Sequence, residues 1–220
     1  MRTKDLIAKR IRRERAHLRK ERNKQTEPTP SQKSKAEEEY TIPEGFSEEV
    51  LREVKKLPGL TIPESEIMRR RDMRDVLTFT IDPDEAKDFD DALSFLPLDN
   101  GNYQIGIHIA DVTHYVEEQT ALDEEPYQRG TSVYLVDRVI PMLPERLSNE
   151  LCSLRPDEDK LCMSVIVEMD EEAKVLKYKI CRTVIRSNYR LTYRQAQDIL
   201  EQKECSMVGT NLPVVSQAIQ

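Results

Sequence analysis

The chain has 220 residues, of which 38% are hydrophobic and 34% charged, and its formal net charge is −7. This length supports one domain with its own core, alone or with an appendage. No apolar run reaches the roughly 20 residues of a membrane-spanning helix. The N-terminus has no apolar stretch followed by a small-residue cleavage site, so the sequence shows no secretory signal. We therefore expect a cytoplasmic protein that does not bind membranes. Its cysteines form no C-x-x-C pair, so we expect them to be reduced and in or near a core; they are Cys152, Cys162, Cys181 and Cys205.

Charge is distributed unevenly along the chain. Residues 1–35 contain thirteen Lys or Arg and four acidic residues, a net charge of +9, so the remaining residues carry −16. The first part is rich in helix formers and predicts a basic helix, whereas residues 25–39 are polar and typical of a disordered linker. The helix is either an arm that contacts phosphates or a solvated charged segment, and both interpretations remain open. We predict an arm and linker over residues 1–39 and a folded part over 40–220.

Two helical patterns precede the first strand. Apolar residues at helical spacing predict a helix over residues 47–57, with Ser47 as its N-cap and Gly59 as its stop. A second short helical segment is predicted over residues 63–73. Its basic run, Arg69 to Arg71, could meet RNA phosphates, but surface ion pairs are the preferred interpretation.

Strand patterns follow. The apolar segments Val76 to Ile81 and Ala92 to Leu98 predict strands, and D-N-G at 99–101 predicts a hairpin between the second of them and Tyr103 to Asp111. This last strand alternates, so one of its faces should belong to the core. Its faces carry Ile105, Ile107 and Ile109 on one side and Gly106, His108 and Ala110 on the other. For His108, a hydrogen-bonded structural role is preferred to that of a ligand or proton carrier.

The rest of the chain mixes strands and helices. The patterns predict a helix over 119–129 ended by Gly130, an extended segment from Ser132 to Ile140 and a short helix over 145–154. Long strands are predicted from Leu161 to Met169 and from Val175 to Ser187. A capping box of Thr192 and Gln195 opens a last helix, which extends to about residue 203. Because the connections are of the hairpin type, we predict an α+β fold with a largely antiparallel sheet and flanking helices, in preference to a doubly wound one.

The stretch T-I-D-P-D-E-A-K-D-F-D-D-A, residues 80–92, concentrates carboxylates between two predicted strands; they are Asp82, Asp84, Glu85, Asp88, Asp90 and Asp91. Two like charges about 4 Å apart cost roughly 1 kcal/mol in water and on the order of 4 kcal/mol near a protein surface. A folded cluster of this density therefore indicates a bound cation. Oxygen ligands without His or Cys suit magnesium, manganese or calcium rather than zinc. A solvated acidic turn is the alternative.

An EF-hand calcium loop is the obvious competing site. Counted from Asp82, loop position five is Ala86, the position that needs glycine is Lys87, and the position that needs a bidentate glutamate is Leu93. The stretch also lies between strands, not helices. A catalytic divalent ion, as in enzymes that cleave phosphodiesters, fits the pattern better.

Four motifs in order carry a resemblance to a known family. They are V-L-T-F-T-I-D-P-D-E-A-K-D-F-D-D-A-L, I-G-I-H-I-A-D-V-T-H-Y-V, S-V-Y-L-V-D-R-V-I-P-M-L-P-E-R-L-S-N-E-L-C-S-L and N-Y-R-L-T-Y. Together they closely resemble the catalytic RNB domain of the ribonuclease II and ribonuclease R family, nearer to bacterial ribonuclease R. The resemblance extends from about Ile42 to the end of the chain.

The resemblance implies a 3′-to-5′ exoribonuclease that binds the 3′ end of single-stranded RNA and hydrolyses it processively to nucleoside 5′-monophosphates. It implies Mg²⁺, or alternatively Mn²⁺, and we expect a monomer. The family's four aspartates, both catalytic and metal-binding, correspond to Asp82, Asp88, Asp90 and Asp91. Tyr134 matches the tyrosine that stacks on the 3′-terminal base, and Tyr193 matches a tyrosine near the bound 3′ end.

The resemblance also implies that this chain is the first part of a catalytic domain. The family's catalytic arginine, a second stacking aromatic residue and the S1 domain lie beyond the position that corresponds to Gln220, and its cold-shock domains have no counterpart in residues 1–39. We therefore expect an incomplete ribonuclease. A non-catalytic RNA-binding or regulatory fragment of the same fold is the alternative, and a calcium-binding structural module is disfavoured by the loop pattern.

Overall fold

The computed structural model describes residues 45–201 and 212–219, which belong to the compact unit that begins at Gly45. The predicted basic arm and linker, residues 1–39, lie outside the described residues, and so does Cys205. The other three cysteines are free, and two of them are buried, as predicted.

The described residues form five α-helices. They are Glu48–Lys56 (α1), Glu64–Ile67 (α2), Ala121–Arg129 (α3), Tyr193–Leu200 (α4) and Leu212–Ile219 (α5); a 3₁₀ turn at Val112–His114 and a π-helical segment at Arg146–Leu151 complete the helical part. None of these helices has both the length and the apolar character that a membrane span requires.

Local capping explains most helix boundaries. Ser47 Oγ accepts a hydrogen bond from the Val50 backbone, and Thr192 forms the predicted capping box with Gln195. Helix α3 ends at Gly130, which has a φ of +72°. Helix α1 ends at Lys56, three residues before the predicted stop at Gly59, because Leu57 caps it and a proline follows.

The strands are Arg71–Asp72 (β1), Leu77–Asp82 (β2), Asp91–Pro97 (β3), Tyr103–Ala110 (β4), Val133–Tyr134 (β5), Val139–Ile140 (β6), Asp159–Met169 (β7), Val175–Arg186 (β8) and Tyr189–Thr192 (β9). Seven of them form one sheet in the order β1-β8-β7-β4-β3-β2-β9, and β5 pairs with β6 in a separate hairpin. The pairs β2–β3, β3–β4, β4–β7 and β7–β8 are antiparallel, whereas β1–β8 and β2–β9 are parallel. The predicted α+β fold with a largely antiparallel sheet is confirmed.

Two segment predictions were partly wrong. The helix predicted over 63–73 stops at Ile67, and the chain then enters β1, which pairs with β8. Long-range pairing overrides the local helical pattern there. The extended segment predicted from Ser132 to Ile140 is a hairpin, because Leu135 N bonds Arg138 O and turns the chain back on itself.

The large sheet has an inner and an outer face. On β4 the inner face carries Gly106, His108 and Ala110, all buried, whereas Ile107 and Ile109 on the outer face remain nearly half exposed. The inner face joins the main core, to which α1, α3 and the π-helical segment contribute Val50, Val54, Leu122, Leu147 and Leu151. The buried face of β4 is therefore the less apolar of the two.

A polar network lies inside the inner face. His108 Nδ1 is 2.7 Å from Ser164 Oγ, and its Nε2 is 2.9 Å from Ser94 Oγ. Ser164 Oγ is in turn 2.6 Å from Thr183 Oγ1. Because the ring is fully buried, desolvation lowers the pKa of His108 to about 4, with a further contribution from Arg71. These bonds support the structural interpretation of His108.

Gly106 leaves the room that this network occupies. A Cβ at residue 106 would be 2.5 Å from His108 Nε2 and closer still to Ser94 Oγ. We expect Gly106→Ala to lower the free energy of unfolding by about 1–3 kcal/mol, the usual cost of overpacking a core. Urea unfolding measures it, with Gly59→Ala as the matched control because a Cβ there meets nothing within 4 Å. Equal stability of the two variants would contradict the packing argument.

Candidate active site

The acidic stretch forms the end of β2, a connecting loop and the start of β3. Asp82 is the last residue of β2 and Asp91 the first of β3, so Asp88 and Asp90 lie in the loop between them. Pro83 follows Asp82 and lacks the N–H that a further ladder bond would need. The two strands are paired, which brings the ends of the acidic stretch together.

The segment that follows the π-helical segment holds this loop in place through hydrogen bonds. Phe89 is buried in the main core, and its N–H donates to Ser153 Oγ at 3.1 Å. Ser153 Oγ donates to Lys87 O at 2.9 Å, and Leu154 N donates to Phe89 O at 2.8 Å.

Arg190 holds the other half of the loop. It lies on β9, beside β2, and its Nη2 donates to the carbonyl oxygens of Pro83 and, at 2.9 Å, Asp84. Its guanidinium also lies 5.5 Å from the centre of the Phe89 ring. Sequence reasoning missed this role, although Arg190 stands within N-Y-R-L-T-Y; nothing local reveals that its side chain reaches a loop more than 100 residues earlier.

Removal of the Arg190 guanidinium should loosen the loop. We expect Arg190→Met to lower the free energy of unfolding by about 1.5–3 kcal/mol, because hydrogen bonds from charged groups have this magnitude. Amide exchange of residues 84–90 should accelerate. Arg194→Met is the matched control, since Arg194 is exposed in α4. Unchanged loop exchange in the Arg190 variant would refute the anchoring role.

Burial and acidic neighbours perturb Asp82 and Asp90. Desolvation raises the pKa of Asp82, Asp91 and Asp88 add to the rise, and Thr80 and Arg190 oppose it. The Asp90 residue is exposed, yet desolvation of its carboxyl raises its pKa, and Asp88, Asp91 and Asp82 raise it further. Negative charge is thus crowded at this point, and a cation would relieve the repulsion.

The carboxylates are close but do not form a closed cage. Within residues 45–201 and 212–219, no three His, Cys, Asp or Glu side chains are grouped closely enough to hold one ion. Asp82 is 92% buried, and its Oδ2 has no hydrogen-bond partner in the part of the chain that the structure describes. The donor set consists of oxygens, which suits a hard divalent ion.

The two predicted RNA-binding tyrosines lie on different elements, Tyr134 on β5 and Tyr193 at the start of α4. Tyr134, on β5, is 70% exposed, and its pKa is raised by desolvation and by the charges of Asp88 and Asp90. Tyr134 therefore lies within electrostatic range of Asp88 and Asp90. Tyr193 is also exposed and directly follows Thr192, which pairs in register with Asp82. The structure brings Tyr134 to the aspartates and places Tyr193 at their edge of the sheet.

A cavity of about 600 Å³ opens on the other side of the loop. Lys87 and Phe89 from the loop and Arg155 from the segment before β7 contribute to its wall, together with Glu145, Asn149, Glu150 and Glu158. The cavity is lined by side chains of both charges, whereas the acidic loop carries crowded carboxylates.

The basic run upstream has a structural role. Arg70 Nη2 lies 2.7 Å from Asp111 Oδ2, and Arg70 Nε lies 2.7 Å from Glu66 Oε1. Arg71 Nη2 donates to Gln104 at 2.7 Å. Arg70 forms ion pairs, but they are buried rather than on the surface as predicted, and Arg71 bonds a neutral amide.

Comparison with known proteins identifies the family. The RNB domain family matches residues 70–212 of the chain. The chain belongs to the RNB family. Among RNB proteins, ribonuclease R of Thermotoga maritima is 50% identical over 159 residues, covering 72% of this chain and 22% of the relative. Ribonuclease R 1 of Lactococcus lactis is 47% identical over 74% of this chain and 20% of the relative. The chain thus spans about a fifth of the length of these curated relatives.

Solved structures show the same fold. Mycoplasma genitalium RNase R in complex with double-stranded RNA superposes with a TM-score of 0.72 at 28% identity, covering 81% of this chain and 31% of that one. Yeast Ssd1, a pseudonuclease, superposes with a TM-score of 0.62 at 23% identity, which is a likeness of fold alone. The RNB fold by itself therefore does not decide whether a member hydrolyses RNA.

Proposed function

We propose that this chain carries the acidic centre of a 3′-to-5′ exoribonuclease that hydrolyses single-stranded RNA to nucleoside 5′-monophosphates in the cytoplasm. One observation carries the proposal: exposed Tyr134 stands beside Asp88 and Asp90, in a loop that Phe89 and Arg190 hold in place. An aromatic surface next to crowded carboxylates combines a platform for a base with a centre for phosphodiester chemistry. The ribonuclease R relatives support the same activity.

Asp82, Asp88, Asp90 and Asp91 are the residues that we propose hold Mg²⁺, with Mn²⁺ as an alternative. Their donors are all oxygens, and the Oδ2 of buried Asp82 accepts no hydrogen bond from the residues that the structure describes. A bound divalent ion would polarise the phosphate and lower the pKa of a water molecule. The ion would also supply positive charge against the repulsion that, after desolvation, raises the pKa of Asp82 and Asp90.

The chain's own residues supply positioning. Tyr134 would stack on the terminal base, which suits a nuclease without sequence preference because every base has a π face; such stacking contributes about 1–3 kcal/mol per base. Tyr193 would contact the RNA near its end, from the first turn of α4. Phe89 and Arg190 hold the loop and therefore the carboxylates that face the scissile phosphate.

A second candidate is an RNA-binding fragment of the same fold that does not hydrolyse RNA. The absence of a closed three-carboxylate group among the described residues favours it, since catalysis needs ligands held in a defined geometry. Tyr134 and the loop would then bind an RNA end without cleaving it.

Incubation of the 220-residue chain with 5′-labelled single-stranded RNA and Mg²⁺ separates the two candidates. Progressive shortening from the 3′ end, stopped by EDTA and absent from Asp90→Asn prepared in parallel, supports the exoribonuclease. Binding of RNA in an electrophoretic shift without shortening would overturn hydrolysis by this chain and favour the RNA-binding fragment. Neither shortening nor binding would overturn both.

A further inference from the structure

Ser153 is a buried residue whose hydroxyl contacts the acidic loop on both sides of Asp88. Ser153 is 0% exposed. Its Oγ accepts a hydrogen bond from the Phe89 N–H at 3.1 Å and donates one to the carbonyl oxygen of Lys87 at 2.9 Å. These two groups belong to the peptide bonds immediately after and immediately before Asp88. One hydroxyl therefore joins both peptide planes that flank a proposed metal ligand.

This bridge restricts the backbone of Asp88. A peptide group is planar, so each residue has only two soft backbone dihedrals, φ and ψ. Rotation about either dihedral of Asp88 would move the Phe89 N–H or the Lys87 carbonyl oxygen away from the Ser153 hydroxyl. Because Ser153 and Phe89 are both buried, water does not readily replace a bond that is broken in this way. The bridge therefore fixes the direction in which the Asp88 side chain leaves the loop.

The other two peptide planes between residues 87 and 91 are held by main-chain groups: Leu154 N donates to Phe89 O at 2.8 Å, and Ala110 N donates to Asp90 O at 2.9 Å. Each peptide plane of this segment thus takes part in a hydrogen bond. Of these contacts, only the two at Asp88 use a side chain, that of Ser153. A substitution at Ser153 therefore removes part of the support of the loop and leaves the main-chain bonds available.

Mg²⁺ and Ca²⁺ place different demands on such a support. Mg²⁺ requires a near-ideal octahedral arrangement of oxygens at about 2.0–2.1 Å, whereas Ca²⁺ accepts a variable number of oxygens at about 2.3–2.6 Å in a flexible arrangement. A ligand held within a narrow range of positions therefore benefits Mg²⁺ binding more than Ca²⁺ binding. Loosening of the loop should reduce the affinity for Mg²⁺ more than the affinity for Ca²⁺.

We propose that Ser153 is a positioning residue that raises the affinity of the acidic centre for Mg²⁺ relative to Ca²⁺, because it fixes the backbone of Asp88. The inference rests on the proposed metal-binding role of Asp82, Asp88, Asp90 and Asp91. It goes beyond that role, since it assigns the choice of ion to a buried hydroxyl that does not itself bind the ion. Rotation of the carboxylates about their own side-chain bonds remains as the adjustment that accompanies binding.

Calorimetric titration of the 220-residue chain with Mg²⁺ and, separately, with Ca²⁺ tests the proposal. In Ser153→Ala the dissociation constant of Mg²⁺ should rise about 10–100-fold, the range found when a residue that supports a metal ligand is lost. The dissociation constant of Ca²⁺ should rise by a smaller factor, so the ratio of the two constants changes. Amide exchange at Phe89 should also accelerate, because its N–H loses its acceptor.

Ser187→Ala is the matched control. Ser187 is also 0% exposed, and its hydroxyl donates to a backbone carbonyl oxygen, that of Tyr189 at 3.2 Å, rather than to the acidic loop. Its loss should lower stability without changing the ratio of the two dissociation constants. A merely structural contribution of Ser153 would make the two variants behave alike, so the ratio separates positioning from stability.

An unchanged ratio of the Mg²⁺ and Ca²⁺ dissociation constants in folded Ser153→Ala would overturn the inference and leave the proposed metal centre in place. Failure of the parent chain to bind either ion would overturn the proposed metal centre and the inference with it. If Ser153→Ala does not fold, Ser153→Cys takes its place, because a thiol is only a weak donor and acceptor. The same change of the ratio is expected there, and a ratio equal to that of the parent would overturn the inference.

Discussion

Replacement of Asp90 with asparagine should abolish the proposed stabilisation of this chain by Mg²⁺, while leaving the metal-free chain at least as stable as the parent at pH 7. Desolvation and three neighbouring aspartates raise the pKa of Asp90, so its ionised form is unfavourable in the folded state. Asparagine removes that charge and one ligand together. Loss of function and gain of metal-free stability are thus expected from one substitution.

The expected size follows from linkage. A ligand that binds only the folded state stabilises it by about 2.7 kcal/mol at a hundred times its dissociation constant. Loss of a residue that hydrogen-bonds to a metal ligand weakens metal binding by roughly 10–100-fold. Removal of a ligand itself should weaken Mg²⁺ binding by more than this. Thermal unfolding with and without Mg²⁺ at pH 7 measures both effects. Asp84→Asn is the control, since Asp84 lies in the same loop but only its backbone carbonyl is used to hold the loop.

The pH dependence has a definite sign. Below the unfolded-state pKa of about 3.8, Asp82 and Asp90 are protonated in the folded and the unfolded state, so they do not lower the free energy of unfolding. As pH rises through their raised folded-state pKa values, the unfolded state ionises first and stability is lost. The metal-free parent should therefore lose stability over this interval, and Asp90→Asn should lose less.

The Mg²⁺ experiment has its own contradicting outcome. An equal Mg²⁺-induced shift of the unfolding temperature in the parent and in Asp90→Asn would contradict the role of Asp90 as a ligand.

The sequence was most informative where structure depends on neighbouring residues. The D-N-G hairpin, the Ser47 cap and the capping box at Thr192 are local, and the structure confirms each of them. The acidic loop between two strands was also predictable, because both flanking segments alternate or are apolar. Local chemistry decides these features before any tertiary contact forms.

Features that depend on distant contacts were not predictable. Helix α2 is short because the residues after it join β8 in the sheet, more than 100 positions later. The role of Arg190 depends on the packing of β9 beside β2. The alternation of β4 showed two faces but not which one is buried, since the aliphatic face carries the isoleucines and the buried one carries His108. Hydrogen bonds with Ser94 and Ser164 make that burial tolerable.

Arg70→Met should be the most destabilising single substitution of a charged residue at the edge of the sheet. Its guanidinium lies 2.7 Å from Asp111, and the two side chains are 0% and 2% exposed. The contact is an ion pair rather than an aligned hydrogen bond. Loss of one partner leaves a buried carboxylate without its main countercharge, which costs about 3–5 kcal/mol. Urea unfolding at pH 7 measures the loss.

Two variants test whether the buried charge is the cause. Arg69→Met removes the neighbouring arginine, which is 78% exposed and 3.9 Å from Glu66, and should change stability by less than about 0.5 kcal/mol. Arg70→Met combined with Asp111→Asn should recover much of the lost stability, because no uncompensated charge remains. A double variant as unstable as the single one would show that packing of the Arg70 side chain, not charge, is what matters.

The pH dependence distinguishes the same causes. Burial alone would raise the pKa of Asp111, but the hydrogen bond from Thr113 and the charges of Arg70 and Arg182 outweigh it and lower the pKa. In the parent this carboxylate therefore contributes stability above its unfolded pKa of about 3.8 and loses it as pH falls through the lower folded value. In Arg70→Met burial should dominate, so stability should rise as Asp111 becomes protonated. The difference in stability between parent and variant should thus shrink from pH 7 toward pH 4, and a constant difference would exclude Asp111 as its source.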